Sequence, residues 1–98
     1  MRRERFASVW DALENAAGDA ANMKARSVLM MSLTEFVKTK GLSQKDAAKL
    51  FRVTQPRVSD LMRGKVQLFS LDTLVTMLAA AGFQMDLRVT RIGKKKAA

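Results

Sequence analysis

Residues 42–65 read LSQKDAAKLFRVTQPRVSDLMRGK, and the fold turns on how this stretch is built. It has the pattern of two short helices joined by a tight turn. Ser43 is a good N-cap, and Asp46 falls in the first turn beside the unpaired N–H groups. Ala47, Leu50 and Phe51 follow at helical spacing and face one core, while the small Ala48 lets a second helix cross closely. After a break at Phe51-Arg52-Val53, Thr54 offers a second N-cap. Pro56 then sits in a first turn, where a missing N–H costs little. Val58, Leu61 and Met62 form the inward stripe of the second helix, which spans about Gln55 to Met62 and stops at Gly64.

This is a helix-turn-helix layout, a unit that places its second helix in the DNA major groove. At roughly 100° per residue, the side of that helix away from its core stripe carries Pro56, Ser59, Asp60 and Arg63. Gln55 and Arg57 lie on the flanks, at the end that would enter a groove first. Amide and guanidinium groups suit that end because they bond the edge of adenine or guanine in pairs. An ordinary helical hairpin with a solvated polar face is the alternative.

The motif resembles the Cro/repressor (XRE-type) DNA-binding domains through Gln44, Ala48, Val53, Gln55, Val58, Leu61, Gly64 and Lys65, in one ungapped run. The longer run VTQPRVSDLMRGK (53–65), followed by FSLDTLVTMLAAAG (69–82), is similar to one branch, the small HigA-like antitoxins of toxin–antitoxin pairs. The likeness covers roughly Val9 to Val89. It implies a mainly α, lambda-repressor-like domain of four to five helices. Where many such proteins carry Gly in the turn, this chain has Arg52. A left-handed backbone there would strain a non-Gly residue by about 1 kcal/mol or more, so another turn conformation is an option.

Composition narrows the partners. The 98 residues fit one domain with extensions, and 48% are apolar, enough for a modest core. The formal charge is +9, from 18 basic and 9 acidic residues, which points to a polyanion or an anionic membrane. Eight of the basic residues fall between Lys38 and Lys65, against Asp46 and Asp60 alone, so the charge gathers on the helix-turn-helix. Without Cys or His there are no disulfides, zinc fingers or Cys/His nucleophiles, and no metal or cofactor is expected. No apolar run is long enough for a membrane span. The charged N-terminus lacks the apolar stretch of a secretory signal, so a cytoplasmic protein is expected. No catalytic constellation is present, and an enzyme is not expected.

The rest of the chain divides around the motif. Residues 1–19 form an N-terminal arm in which Phe6, Val9, Trp10 and Leu13 share one face of a short amphipathic helix. Such a helix is too short to stand alone in water. It docks on its own domain, pairs with another copy, touches phosphates through Arg2, Arg3 and Arg5, or binds a toxin, as segments outside the DNA-binding unit do in HigA-like proteins. Residues 20–82 make up the DNA-binding domain. A hinge at Gly18–Ala21 leads into a helix from about Ala20 to Thr39 with Leu29, Leu33, Phe36 and Val37 inward. Gly64 to Phe69 is a connecting loop. Ser70 then caps a helix whose Leu71, Leu74, Val75 and Leu78 close the core. In residues 83–92, Phe83, Met85, Leu87 and Val89 alternate with polar residues, the period of a strand. With no second strand to pair with, the economical partner is the same strand of a second copy across a two-fold axis. An extended tail lying on its own core is the alternative. Residues 93–98 are a basic tail.

These elements lead to a homodimeric repressor on a palindromic double-stranded operator. Its base readers are Gln55 and Arg57, then Pro56, Ser59 and Asp60. Asp60 either accepts from a cytosine amine or orients Arg57 and Arg63. Gln44, Lys45, Arg52, Thr54, Arg63 and Lys65 are expected at phosphates. The HigA resemblance implies an antitoxin that autorepresses its operon and neutralises a RelE/HigB-like toxin. A stand-alone phage or chromosomal repressor, and an interaction module that binds no operator, are the competing roles.

Overall fold

The computed structural model describes the backbone of residues 2–91 and the side chains of residues 17–91. Within them lie four α-helices: α1 (Arg2–Lys40), α2 (Gln44–Phe51), α3 (Gln55–Met62) and α4 (Leu71–Ala80), with a 3-10 turn at Val66–Leu68 between α3 and α4. The chain is mainly helical, and α2 and α3 form the helix-turn-helix.

The three short helices open in the same way. An apolar residue precedes a hydroxyl cap, and a second apolar residue follows four positions after the cap: Leu42-Ser43-Ala47, Val53-Thr54-Val58 and Phe69-Ser70-Leu74. Each hydroxyl accepts a backbone N–H three residues on, from Asp46 (3.0 Å), Arg57 (3.4 Å) and Thr73 (3.1 Å). The flanking pair staples the entry of the chain to the core. The exits are also alike. Each helix closes with two N–H groups reaching back to its last-turn carbonyls around one left-handed residue. That residue is glycine after α1, α3 and α4, and Arg52 after α2 (φ 61°, ψ 44°).

The turn therefore keeps its left-handed geometry without glycine. Arg52 N–H bonds the Lys49 carbonyl (3.3 Å) and Val53 N–H bonds that of Ala48 (3.0 Å), which holds Arg52 in a conformation that costs a side-chain-bearing residue. Arg52→Gly is accordingly expected to raise stability by about 1 kcal/mol in a urea titration. A loss of stability would mean that contacts of the Arg52 side chain outweigh the strain.

The core sits where α1, α2, α3 and α4 meet. It consists of Met30, Leu33 and Val37 from α1, Ala47, Ala48 and Phe51 from α2, Val58 and Leu61 from α3, Phe69 from the connector, and Leu74, Met77 and Leu78 from α4. Leu29, Phe36, Leu50 and Met62 pack at its margin. Two expectations need correction. Val75 faces solvent and Met77 is buried in its stead. Both 71/74/75/78 and 74/77/78/81 fit helical spacing, and the packing of α4 on α1 and α2 selects the second. The hinge at Gly18–Ala21 is absent, because α1 runs through it unbroken. One glycine costs a helix about 1 kcal/mol, and here it is flanked by Ala16, Ala17, Ala20 and Ala21, the best helix formers.

Residues 17–25 of α1 are exposed on every side, so the helix joins the core only from Arg26 onward. The side chains of Phe6, Val9, Trp10 and Leu13, and the basic tail 93–98, lie outside the described residues. Residues 83–91 have no regular secondary structure within the chain. The four alternating residues divide into two pairs. Phe83 meets the Phe36 ring edge-on at 5.1 Å and Met85 packs against the core. Leu87 and Val89 are 83% and 92% exposed.

Candidate nucleic-acid interface

The outward face of the helix-turn-helix is set by what its two helices bury. α3 sinks Val58 and Leu61 completely, which turns Gln55 and Pro56 outward at its N-terminal end, with Ser59 half-buried and Arg63 exposed further along. α2 buries Ala47, Ala48 and Phe51, leaving Gln44, Lys45, Lys49 and Arg52 on the outside. With Thr54 as its cap, α3 begins at an exposed, cationic edge whose positive dipole end also favours anions. Among the described residues a single ion pair occurs, Lys65–Asp60 at 3.9 Å, so the lysines and arginines of α2 and its turn carry their charge unneutralised.

That pair corrects one expectation. Asp60 does not meet Arg57 or Arg63. The left-handed turn at Gly64 swings Lys65 back over the last turn of α3, where its N–H bonds the Asp60 carbonyl (3.1 Å) and its ammonium faces the Asp60 carboxylate. Both side chains remain partly exposed, and such a pair contributes little to stability, of order 0–1 kcal/mol. Lys65 thus reaches any phosphate from within an ion pair. Thr54 is occupied as the cap of α3 while staying exposed.

Arg57 lies differently from Gln55. Its Nη1 donates to the Leu68 carbonyl (3.1 Å), and its guanidinium lies over the Phe69 ring, 4.8 Å from the centroid. The side chain bends back from the start of α3 onto the connector that follows the helix. A second arginine grips the same connector from behind. Arg26 Nη1 donates to the carbonyls of Val66 (3.1 Å) and Phe69 (3.3 Å), although its buried Nε finds no partner. Two guanidinium groups, one on α1 and one on α3, thereby hold three carbonyls of the connector, of which that of Val66 also accepts the Phe69 N–H (3.1 Å).

Neither Arg26 nor Phe69 stands out as a functional residue in the sequence, though both left a signal there. Arg26 falls at helical spacing before Met30, Leu33 and Val37, a lone cation on the core stripe. Phe69 occupies the position just before the Ser70 cap, where an apolar residue staples to the fourth residue of the helix.

Among the described residues no helix is long and apolar enough to cross a membrane. A family model described as a helix-turn-helix domain matches residues 12–90. No curated protein matches the chain.

Proposed function

The chain belongs to the helix-turn-helix domain family, and from that premise we propose that it is a sequence-specific transcriptional repressor that binds a palindromic operator as a homodimer. The observation that carries this is the disposition of α3: Val58 and Leu61 are fully buried while Gln55 and Pro56 project at the leading end, beside the cations of α2 and its turn. An eight-residue helix anchored on one side and free on the other fits the major groove, and its flanking cations suit phosphates. Gln55 is the foremost base reader, joined by Pro56, Ser59 and Asp60. Gln44, Lys45, Arg52, Thr54, Arg63 and Lys65 meet the backbone. Dimerisation runs through residues 83–92, whose exposed Leu87 and Val89 have no use within one chain.

The finer role we propose is that of an antitoxin of the HigA-like type, which represses its own operon and neutralises a RelE/HigB-like toxin. It is supported by the likeness of residues 53–65 and 69–82 to that branch, and by a first helix whose residues 17–25 have left the core. The arm before them, with Phe6, Val9, Trp10 and Leu13, is the proposed toxin-binding segment.

Selection of bound duplexes from a random library tests the DNA-binding role, and the absence of any enriched sequence would defeat it. Gln55→Ala is expected to lose discrimination at one base pair per half-site, about 1–3 kcal/mol, with random-DNA affinity unchanged. Co-purification with the product of the adjacent gene tests the antitoxin role. Recovery of the chain alone would favour a stand-alone repressor.

A further inference from the structure

Resting on the operator-binding role proposed above, we infer that Arg57 is a positioning residue and reads no base: it ties the first turn of α3 to the connector behind it, so that Gln55 is presented at a fixed height. Reading guanine needs a free guanidinium fork, two N–H groups side by side on O6 and N7. Arg57 has one edge committed to the Leu68 carbonyl and its face laid on Phe69, a ring only 1% exposed and therefore immobile in the core. To enter the groove it would have to surrender both contacts at once. Gln55, two residues earlier, is exposed and needs no such release.

The tether also answers a mechanical need. An eight-residue helix has little stability of its own and takes its orientation from packing. Val58 and Leu61 hold α3 along its inward stripe. Arg57 adds a lateral restraint at the N-terminal end. The connector it holds is itself fixed from α1 by Arg26, through the Val66 and Phe69 carbonyls. The restraint therefore runs from α1 through the connector to the first turn of α3. A reading residue held in this way by rigid neighbours loses less freedom on binding.

Library selection with the full chain, comparing wild type, Arg57→Ala and Gln55→Ala, separates the roles. Arg57→Ala should enrich the same bases as wild type at every half-site position, yet bind the best site about tenfold more weakly, the equivalent of one lost charge-assisted hydrogen bond. The amides of Leu68 and Phe69 should exchange faster in the same variant. Gln55→Ala should instead lose preference at one position. If Arg57→Ala erases preference at a single position and leaves the others intact, Arg57 is a base reader and the assignment falls. It falls also if the folded variant binds as tightly as wild type, since the contact would then be structural only. Should Arg57→Ala not fold, Arg57→Met keeps the stem over Phe69 while removing the guanidinium, and the same outcomes apply. A wild-type protein that enriches no sequence would overturn the operator-binding role and this assignment together.

Discussion

Replacing Leu87 and Val89 together by aspartate is expected to convert the proposed dimer to monomers in sedimentation and to weaken operator binding about a hundredfold or more, as linked half-site engagement is lost. The two positions are chosen for what they do not do. They are the most exposed large apolar residues described, and Leu87 only edges the surface of its own chain. Phe83 and Met85, in contrast, lie against Phe36 and the core, so cutting the chain after Gly82 would damage the monomer as well as the junction. Beside Leu87 runs an apolar groove of about 590 Å³ between α1 and α4, lined by Val28, Leu29, Leu71, Val75 and Met85. Val28 and Val75 are themselves exposed on its walls. Four aspartates brought together across a two-fold axis would repel and would forfeit the apolar contact. A double variant that still sediments as a dimer would move the interface away from this segment.

Phe69→Ala carries the largest expected loss of stability, about 3–5 kcal/mol in a urea titration, the range for removing a buried ring. A domain of this size commonly has only about 5–15 kcal/mol in total, so the variant should lose a large share of its stability. The ring fills the junction of α1, the connector and α4, staples the entry of α4, and supports the Arg57 guanidinium. Leu68→Ala is the control. Its side chain is 44% exposed, and removing it should cost about 0.5 kcal/mol or less. Equal effects of the two substitutions would mean that the connector does not pack as described.

The contrast between Leu68 and Phe69 shows where the chain was legible before folding and where it was not. Periodicity had nothing to work on in a six-residue connector, and only the position of Phe69 relative to the Ser70 cap hinted at burial. The helix-turn-helix was plain, because Ser43, Thr54, Gly64 and the stripes at Ala47/Phe51 and Val58/Leu61 all agree on one answer. On α4 the periodicity alone fits two faces a fraction of a turn apart, and packing exposes Val75 and buries Met77. Gly18 suggests a hinge, but its alanine neighbours favour helix more strongly than one glycine opposes it. Arg57 lies in the first turn of α3, but its side chain meets a carbonyl eleven residues further on and the ring beyond it.

Where the three short helices begin and end, and which two of them make the DNA-binding unit, is already written in the residue order. Caps, staples and left-handed exits join groups within six residues of each other, so short windows of sequence hold all the physics they need. Which carbonyl a long side chain reaches depends instead on segments meeting across the fold. Arg26 is 40 residues from Val66 and 43 from Phe69, and no local pattern encodes such a meeting. Packing around the core created it, and with it the support on which the leading end of α3 rests.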